Sequence, residues 1–163
     1  MTANSPETMR RALFAGSFDP FTIGHASIVE RGLALFDRVV IAVGVNAAKS
    51  GAAAADERLE AIRSLYADNP RVEAITYSGS LTVDVAAAHG CRWLLRGVRS
   101  VRDFEYERDL ADLNRRISGI ETVILFALPE HGAVSSSAVR ELRSYGHDIT
   151  PFLPQPHTTI KEK

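Results

Sequence analysis

The chain has 163 residues, 45% of them hydrophobic and 24% charged, with a formal net charge of −1. That length suits one domain with a full core, and the near-neutral balance gives no support for a general binder of nucleic acid or of anionic membrane, while leaving local basic clusters open. The single cysteine, Cys91, excludes an intrachain disulfide and a cysteine-built zinc site, and reads as a small buried residue at a strand entrance.

Residues 1–9 are polar, include Pro6 and lack periodicity. They read as a disordered leader before a domain spanning 10–163, with Met9 an alternative start. No apolar run reaches membrane-spanning length and no signal-type apolar segment precedes the first strand, so a cytoplasmic location is expected. Ala12–Ala15 is a short apolar strand that runs into Gly16-Ser-Phe-Asp-Pro-Phe-Thr-Ile-Gly-His25. A helix comes next, with Val29, Leu33 and Phe36 on one face. Arg38–Val45 is nearly continuous and β-branched, as a strand covered on both faces reads. A loop of small residues, 46–55, carries one charge, Lys49. Asp56 then caps a helix whose face is Leu59, Ile62 and Tyr66. Asn69-Pro70 ends it, and Val72–Tyr77 alternates as a strand.

A short helix starts at Leu81 and closes at Gly90. Arg92–Arg96 is the fourth strand, succeeded by a charged helix with a core stripe of Leu110, Leu113 and Ile117. Gly119 breaks that helix, and Thr122–Leu128 reads as another doubly buried strand. Ser135 or Ser136 caps a last helix running to Tyr145 and closed by Gly146. The segment 147–163 is proline-punctuated and reads as lying over the surface. Five strands, each with a helix after it, predict an α/β fold, a doubly wound five-stranded parallel sheet with helices on both faces. Ligands of such sheets bind at the carboxyl ends of the strands, near a topological switch point.

The residues just beyond each strand are therefore decisive. Gly16, Ser17, Phe18 and Gly24-His25 come after the first, Lys49 after the second, and Ser80 to Thr82 after the third. Arg96-Gly-Val-Arg99 stands at the end of the fourth and Ser135-Ser-Ser137 beyond the fifth. Hydroxyls, two arginines, a lysine and a histidine on one rim make a polyphosphate site, with a strand–turn–helix start adding backbone N–H groups and the helix dipole. Each residue also has a plain structural alternative. His25 can be a helix cap, Lys49 a solvated charge, and Ser135–Ser137 only a cap. Arg96 and Arg99 can be ion-paired by Asp103, Glu105 or Glu107 one turn away. His89, His131, His147 and His157 lack metal-ligand spacing; His131 is a possible loop neighbour of nucleotide. The Walker G-x-x-x-x-G-K-[ST], the dinucleotide G-x-G-x-x-G and the hydrolase G-x-S-x-G are all absent.

The Gly16–His25 stretch resembles the T-x-G-H signature of nucleotidyltransferases related to class I aminoacyl-tRNA synthetases, most of which carry H-x-G-H where this chain has Thr22. With Arg96-Gly-Val-Arg-Ser-Val-Arg-Asp-Phe-Glu-Tyr-Glu107 and Val134-Ser-Ser-Ser137, it resembles the bacterial phosphopantetheine adenylyltransferases from about Arg11 to about Pro154. The resemblance implies adenylyl transfer from ATP to 4′-phosphopantetheine, giving dephospho-coenzyme A and pyrophosphate. It also implies Mg²⁺, held mainly by ATP phosphates and water, a homohexamer, and coenzyme A as feedback inhibitor.

By position, it implies that Ser17 meets both substrates and that the Phe18 backbone N–H meets nucleotide phosphate. His25 is the implied transition-state stabiliser on the ATP phosphates. Lys49 and Arg96 hold the phosphate of phosphopantetheine, and Thr82 lines that substrate's site. Gly97, Val98, Arg99, Glu107 and the loop His131, Gly132, Ala133, Val134, Ser135, Ser136 and Ser137 hold ATP. No protein ligand to metal is implied. The chain departs from the family in three places. Ser17 stands for a threonine; Ala47, Ala48, Ser50 and Gly51 replace prolines and lysines around Lys49, predicting a more mobile loop; and the C-terminal end is shorter and less helical. The attacking phosphate is already an anion, so in-line displacement at the α-phosphorus needs no general base, and catalysis reduces to positioning and charge neutralisation. The rivals are a transferase for another acceptor, such as nicotinamide mononucleotide or glycerol phosphate, and a nucleotide-binding regulatory module without catalysis.

Overall fold

The computed structural model describes residues 9–46 and 52–156. The expected leader up to residue 8, Lys49 with its neighbours 47–51, and His157 lie outside them. The strands are β1 (Arg11–Gly16), β2 (Arg38–Gly44), β3 (Val72–Tyr77), β4 (Trp93–Val98) and β5 (Glu121–Phe126). The helices are α1 (Ile23–Gly32), α2 (Ala52–Leu65), α3 (Thr82–Ala88), α4 (Val101–Ser118) and α5 (Ser136–Ser144), with single 3₁₀ turns at Pro129–His131 and Thr150–Phe152.

All strand pairs are parallel and the order is β3-β2-β1-β4-β5. The chain winds outward from β1 through β2 to β3, then crosses back to β4 beside β1. The doubly wound expectation holds, and the switch point lies between β1 and β4. Side chains alternate across the central strands. Ala12 and Phe14 join Ile28, Val29, Ile41 and Ile62 on one face, while Leu13 and Ala15 join Val40, Ala42, Val83, Ala86 and Cys91 on the other. Burial on both faces explains the continuous apolar reading of β2. Cys91 is buried, and the apolar surroundings push its thiol up to about 11.

Four local expectations need correction. The α2 helix begins at Ala52, not after Asp56; the alanine run has the highest helix propensity and extends the helix backwards. The α1 helix stops at Gly32, and Leu33 and Phe36 pack from the turn beyond it. β5 is the edge of the sheet, so its side chains are only half-buried and Phe126 is exposed. Beside that edge, the expected core stripe of α4 is largely uncovered: Leu113 and Ile117 are 53% and 56% exposed. Periodicity identified the apolar face correctly, but the sheet ends before it can cover that face.

Gly119 terminates α4 as expected, in the left-handed region at φ +75, with its N–H donating to Arg115 O at 2.8 Å. No atom lies within 4 Å of where its Cβ would stand, so Gly119→Ala isolates the conformational cost. It should lose about 1–2 kcal/mol, read as a lower urea midpoint at unchanged slope.

Candidate active site

The two central strands do not stay together. β1 pairs with β2 along its whole length to Gly16 and Val43, but the β1–β4 register runs only through Ala12–Trp93 and Leu13–Leu94. Beyond that point the carboxyl ends part, and the crevice of a doubly wound sheet opens there. The Gly16–Thr22 loop leaves β1 at its lip. Phe18 sits at φ +48 with its ring buried, and a Cβ on Gly16 would stand 3.0 Å from that ring. A side chain at Gly16 would push the Phe18 ring aside by a few tenths of an ångström. Helices behind the loop hold its carbonyls: Arg58 of α2 donates to Ser17 O. From α5, Arg140 donates to Asp19 O at 2.6 Å and the Ser136 hydroxyl to Pro20 O at 2.8 Å.

Thr22, fully buried, is the N-cap of α1. Its Oγ1 accepts the His25 N–H at 3.4 Å, and its own N–H donates to His25 Nδ1 at 3.0 Å. This is a capping box with histidine in the place usually held by Glu or Gln. Because Nδ1 accepts, the neutral ring carries its proton on Nε2. Phe18 and Phe21 wall the ring, with centroids 5.0 and 5.4 Å from it. Burial lowers the His25 pKa to about 4, and Arg99 and Arg96 lower it further by repulsion within that figure. His25 is therefore a neutral donor near pH 7 in the free protein.

Arg96 points into the crevice. Its Nε and Nη2 donate to the Glu107 carboxylate at 2.8 and 2.6 Å, and its Nη1 donates to Ala15 O. Burial opposes the guanidinium charge, but the Glu107 hydrogen bonds and charge outweigh it and hold its pKa above the ordinary value. Arg99 makes a looser pair with Asp103 at 3.7 Å. Ser135 Oγ caps α5 by accepting the Ala138 N–H at 3.1 Å. The Ser137 hydroxyl takes a bond from Arg140 at 3.2 Å. The structural alternatives for these residues are thus occupied as well, without removing the residues from the rim.

Two cavities meet at Ala15, Gly16, Ser17 and Arg96. The first, about 880 Å³, runs towards α3 and α4 and takes in Thr82 and Glu107. The second, about 370 Å³, lies over the start of α1 and takes in Phe18, His25, Gly97, Val98 and Arg99. Its far wall is His131, Val134 and the Ser135–Ser137 turn; His131 Nδ1 is buried with no hydrogen-bond partner among the described residues. Of the residues expected to hold nucleotide, Gly132 and Ala133 line neither cavity, and Glu107 lines the first but not the second. Sequence reasoning missed Tyr106, Leu110 and Asn114, which line the first cavity. Their i, i+4, i+8 spacing on α4 was the available signal. It also missed Thr122, whose buried Oγ1 has no partner among the described residues.

Family comparisons place this fold among the nucleotidyltransferases. The model of the cytidylyltransferase-like family matches residues 13–142. A solved structure from Vibrio parahaemolyticus carrying the name nicotinate-nucleotide adenylyltransferase shares the fold, with a TM-score of 0.59 at 16% identity, covering 90% of this chain and 94% of that one. A lipopolysaccharide core biosynthesis protein from Thermoplasma volcanium does so at a TM-score of 0.55 and 21% identity, covering 74% and 97%. Among curated proteins, the phosphopantetheine adenylyltransferase of Porphyromonas gingivalis is 56% identical over 144 residues, 88% of this chain and 94% of that protein. That of Phocaeicola vulgatus is 50% identical over 147 residues, 90% and 97%. The chain belongs to the phosphopantetheine adenylyltransferase family.

In the free protein, the His25 imidazole should titrate near pH 4, not 6.5. Between those values the unfolded chain binds the proton and the folded one does not. The stability His25 contributes is therefore complete above about pH 6.5 and is lost as the pH falls towards 4. A ring titration by nuclear magnetic resonance checks this, and a midpoint near 6.5 would contradict the buried capping box.

Proposed function

We propose that the chain transfers the adenylyl group of ATP to 4′-phosphopantetheine, producing dephospho-coenzyme A and pyrophosphate, and that the two cavities take the two substrates. The observation that carries this reading is their common wall. Ser17 and Arg96 belong to both cavities, while His25 belongs only to the second. ATP in the second cavity would place its phosphates over the start of α1, at His25, Arg99 and the Ser135–Ser137 turn. The first cavity, larger and bounded by Leu94, Leu110, Tyr106 and Asn114, suits a long acceptor with both apolar and amide groups. Its phosphate would lie at the shared wall, held by Arg96; Lys49, which the family likeness adds to this role, lies outside the described residues.

A phosphate oxygen of the acceptor attacks the α-phosphorus, the bond from that phosphorus to the α–β bridging oxygen breaks, and pyrophosphate leaves with the electron pair. The acceptor is an anion already, so no general base is needed. His25, neutral with its proton on Nε2, donates to the charge that develops on the α-phosphate, and the cationic groups offset repulsion between the substrates. Mg²⁺ fits as a metal that arrives with ATP. Among the described residues no group of three or more His, Cys, Asp or Glu is placed to hold one, and Asp103 and Glu107 are engaged by arginines. When bound, it supplies charge neutralisation on the phosphates, held by them and by water.

A homohexamer with coenzyme A as feedback inhibitor belongs to the same reading. The exposed Tyr106, Leu113, Ile117 and Phe126 around α4 and the β5 edge support a self-association surface. None of the described helices is long and apolar enough to cross a membrane, and the reading places the protein in the cytoplasm.

Pyrophosphate formation from ATP should appear with phosphopantetheine and not with nicotinamide mononucleotide or glycerol phosphate. Turnover with another acceptor alone would change the substrate and keep the class. His25→Ala should lower kcat by about 10²–10³, the usual cost of one such donor, with only a modest loss in ATP affinity. Ile117→Glu should reduce the native mass below that of a hexamer in sedimentation equilibrium.

A further inference from the structure

Among the described residues only two polar or charged side chains are buried, Thr22 and Glu107. Each is bonded to a residue of the candidate site: Thr22 to His25, and Glu107 to Arg96. Buried polar groups survive only with partners, and a buried carboxylate demands one with charge. We infer that Glu107 is a positioning residue that acts through Arg96, fixing the guanidinium across the opened ends of β1 and β4 to face the acceptor's phosphate. The inference rests on the two-substrate reading of the cavities.

The geometry is specific. The pair is side-on and bidentate, Nε to Oε2 and Nη2 to Oε1, and both carboxylate oxygens are engaged. Nη1 takes Ala15 O, two residues beyond the last β1 residue paired with β4. The guanidinium thus closes the parted strands where the ladder stops. Of its five N–H groups three are engaged, which leaves two for a ligand on a side chain still 28% exposed. Glu107 itself is 9% exposed and lines the first cavity, not the one over α1. A carboxylate aimed at polyphosphate would repel it. Placed behind Arg96, the same carboxylate removes the freedom a long side chain would otherwise lose when substrate binds.

The sign of the mutational effect separates this from simple electrostatics. Glu107→Gln removes a negative charge near the phosphate, which by Coulomb's law alone would tighten anion binding. Lost orientation predicts the reverse. The test is calorimetric binding of phosphopantetheine and of a non-hydrolysable ATP analogue to wild type, E107Q, R96A and the double variant. Thermal unfolding identifies the folded samples. R96A strands a buried carboxylate, so Arg96→Gln, which can still donate to Glu107, replaces it where it does not fold.

E107Q should weaken phosphopantetheine at least tenfold and the analogue by less than threefold. Adding E107Q to R96A should change neither by more than twofold. A larger loss of analogue than of acceptor overturns the inference, as does unchanged or tighter acceptor binding, or an equal acceptor loss with and without Arg96. Failure of the wild type to bind phosphopantetheine would instead overturn the functional reading beneath it.

Discussion

The separation of β1 from β4 is the constraint on which the rest depends. Their register stops at Leu13 and Leu94, whereas β1–β2 and β4–β5 pair to their ends. A parallel sheet wound outward in two directions must leave one seam between its first strands, and no crossing connection covers the carboxyl end of that seam. The parted backbone needs partners there, and Ala15 O takes one from the Arg96 side chain. A cation is thus held at the bottom of the crevice by the same requirement that satisfies the fold.

Around that seam the polar groups are organised in bonded pairs. Thr22 stands behind His25 and Glu107 behind Arg96; Arg58 and Arg140 stand behind the carbonyls of Ser17 and Asp19. In the proposed reaction, which works by positioning and charge neutralisation, precision would come from these rear contacts. The same contacts set the state of the front groups. The capping box leaves Nδ1 of His25 an acceptor, and burial keeps the ring neutral, so the donor is present without protonation.

Much of this was legible in the chain itself, and the parts that were not share a cause. Elements came through because the apolar periods are clean, as in Arg38–Val45 and Val72–Tyr77, and because Gly90, Gly119 and Gly146 sit at positive φ where helices end. The order of loops placed Ser17, His25, Arg96, Arg99 and Ser135–Ser137 on one rim. Leu113 and Ile117 misled because periodicity reports which face of a helix is apolar, not whether the sheet reaches far enough to cover it. Spacing put Glu107 within reach of Arg96, and the packing of α4 against β4 brings the two into contact; that packing, and no local pattern, decides which cavity its carboxylate lines.

The sequence by itself determined the winding of the fold and the inventory of the site. Alternating apolar strands and helices dictate a parallel sheet, and chain order dictates which loops lie at its carboxyl edge. What only the tertiary structure decided is how that inventory is divided. Two cavities with Ser17 and Arg96 in common, and the Glu107 carboxylate bonded to Arg96 in the wall of the larger one, depend on distances between residues far apart in the chain. Those distances are set by where two neighbouring strands stop pairing, and no local pattern of residues encodes that point.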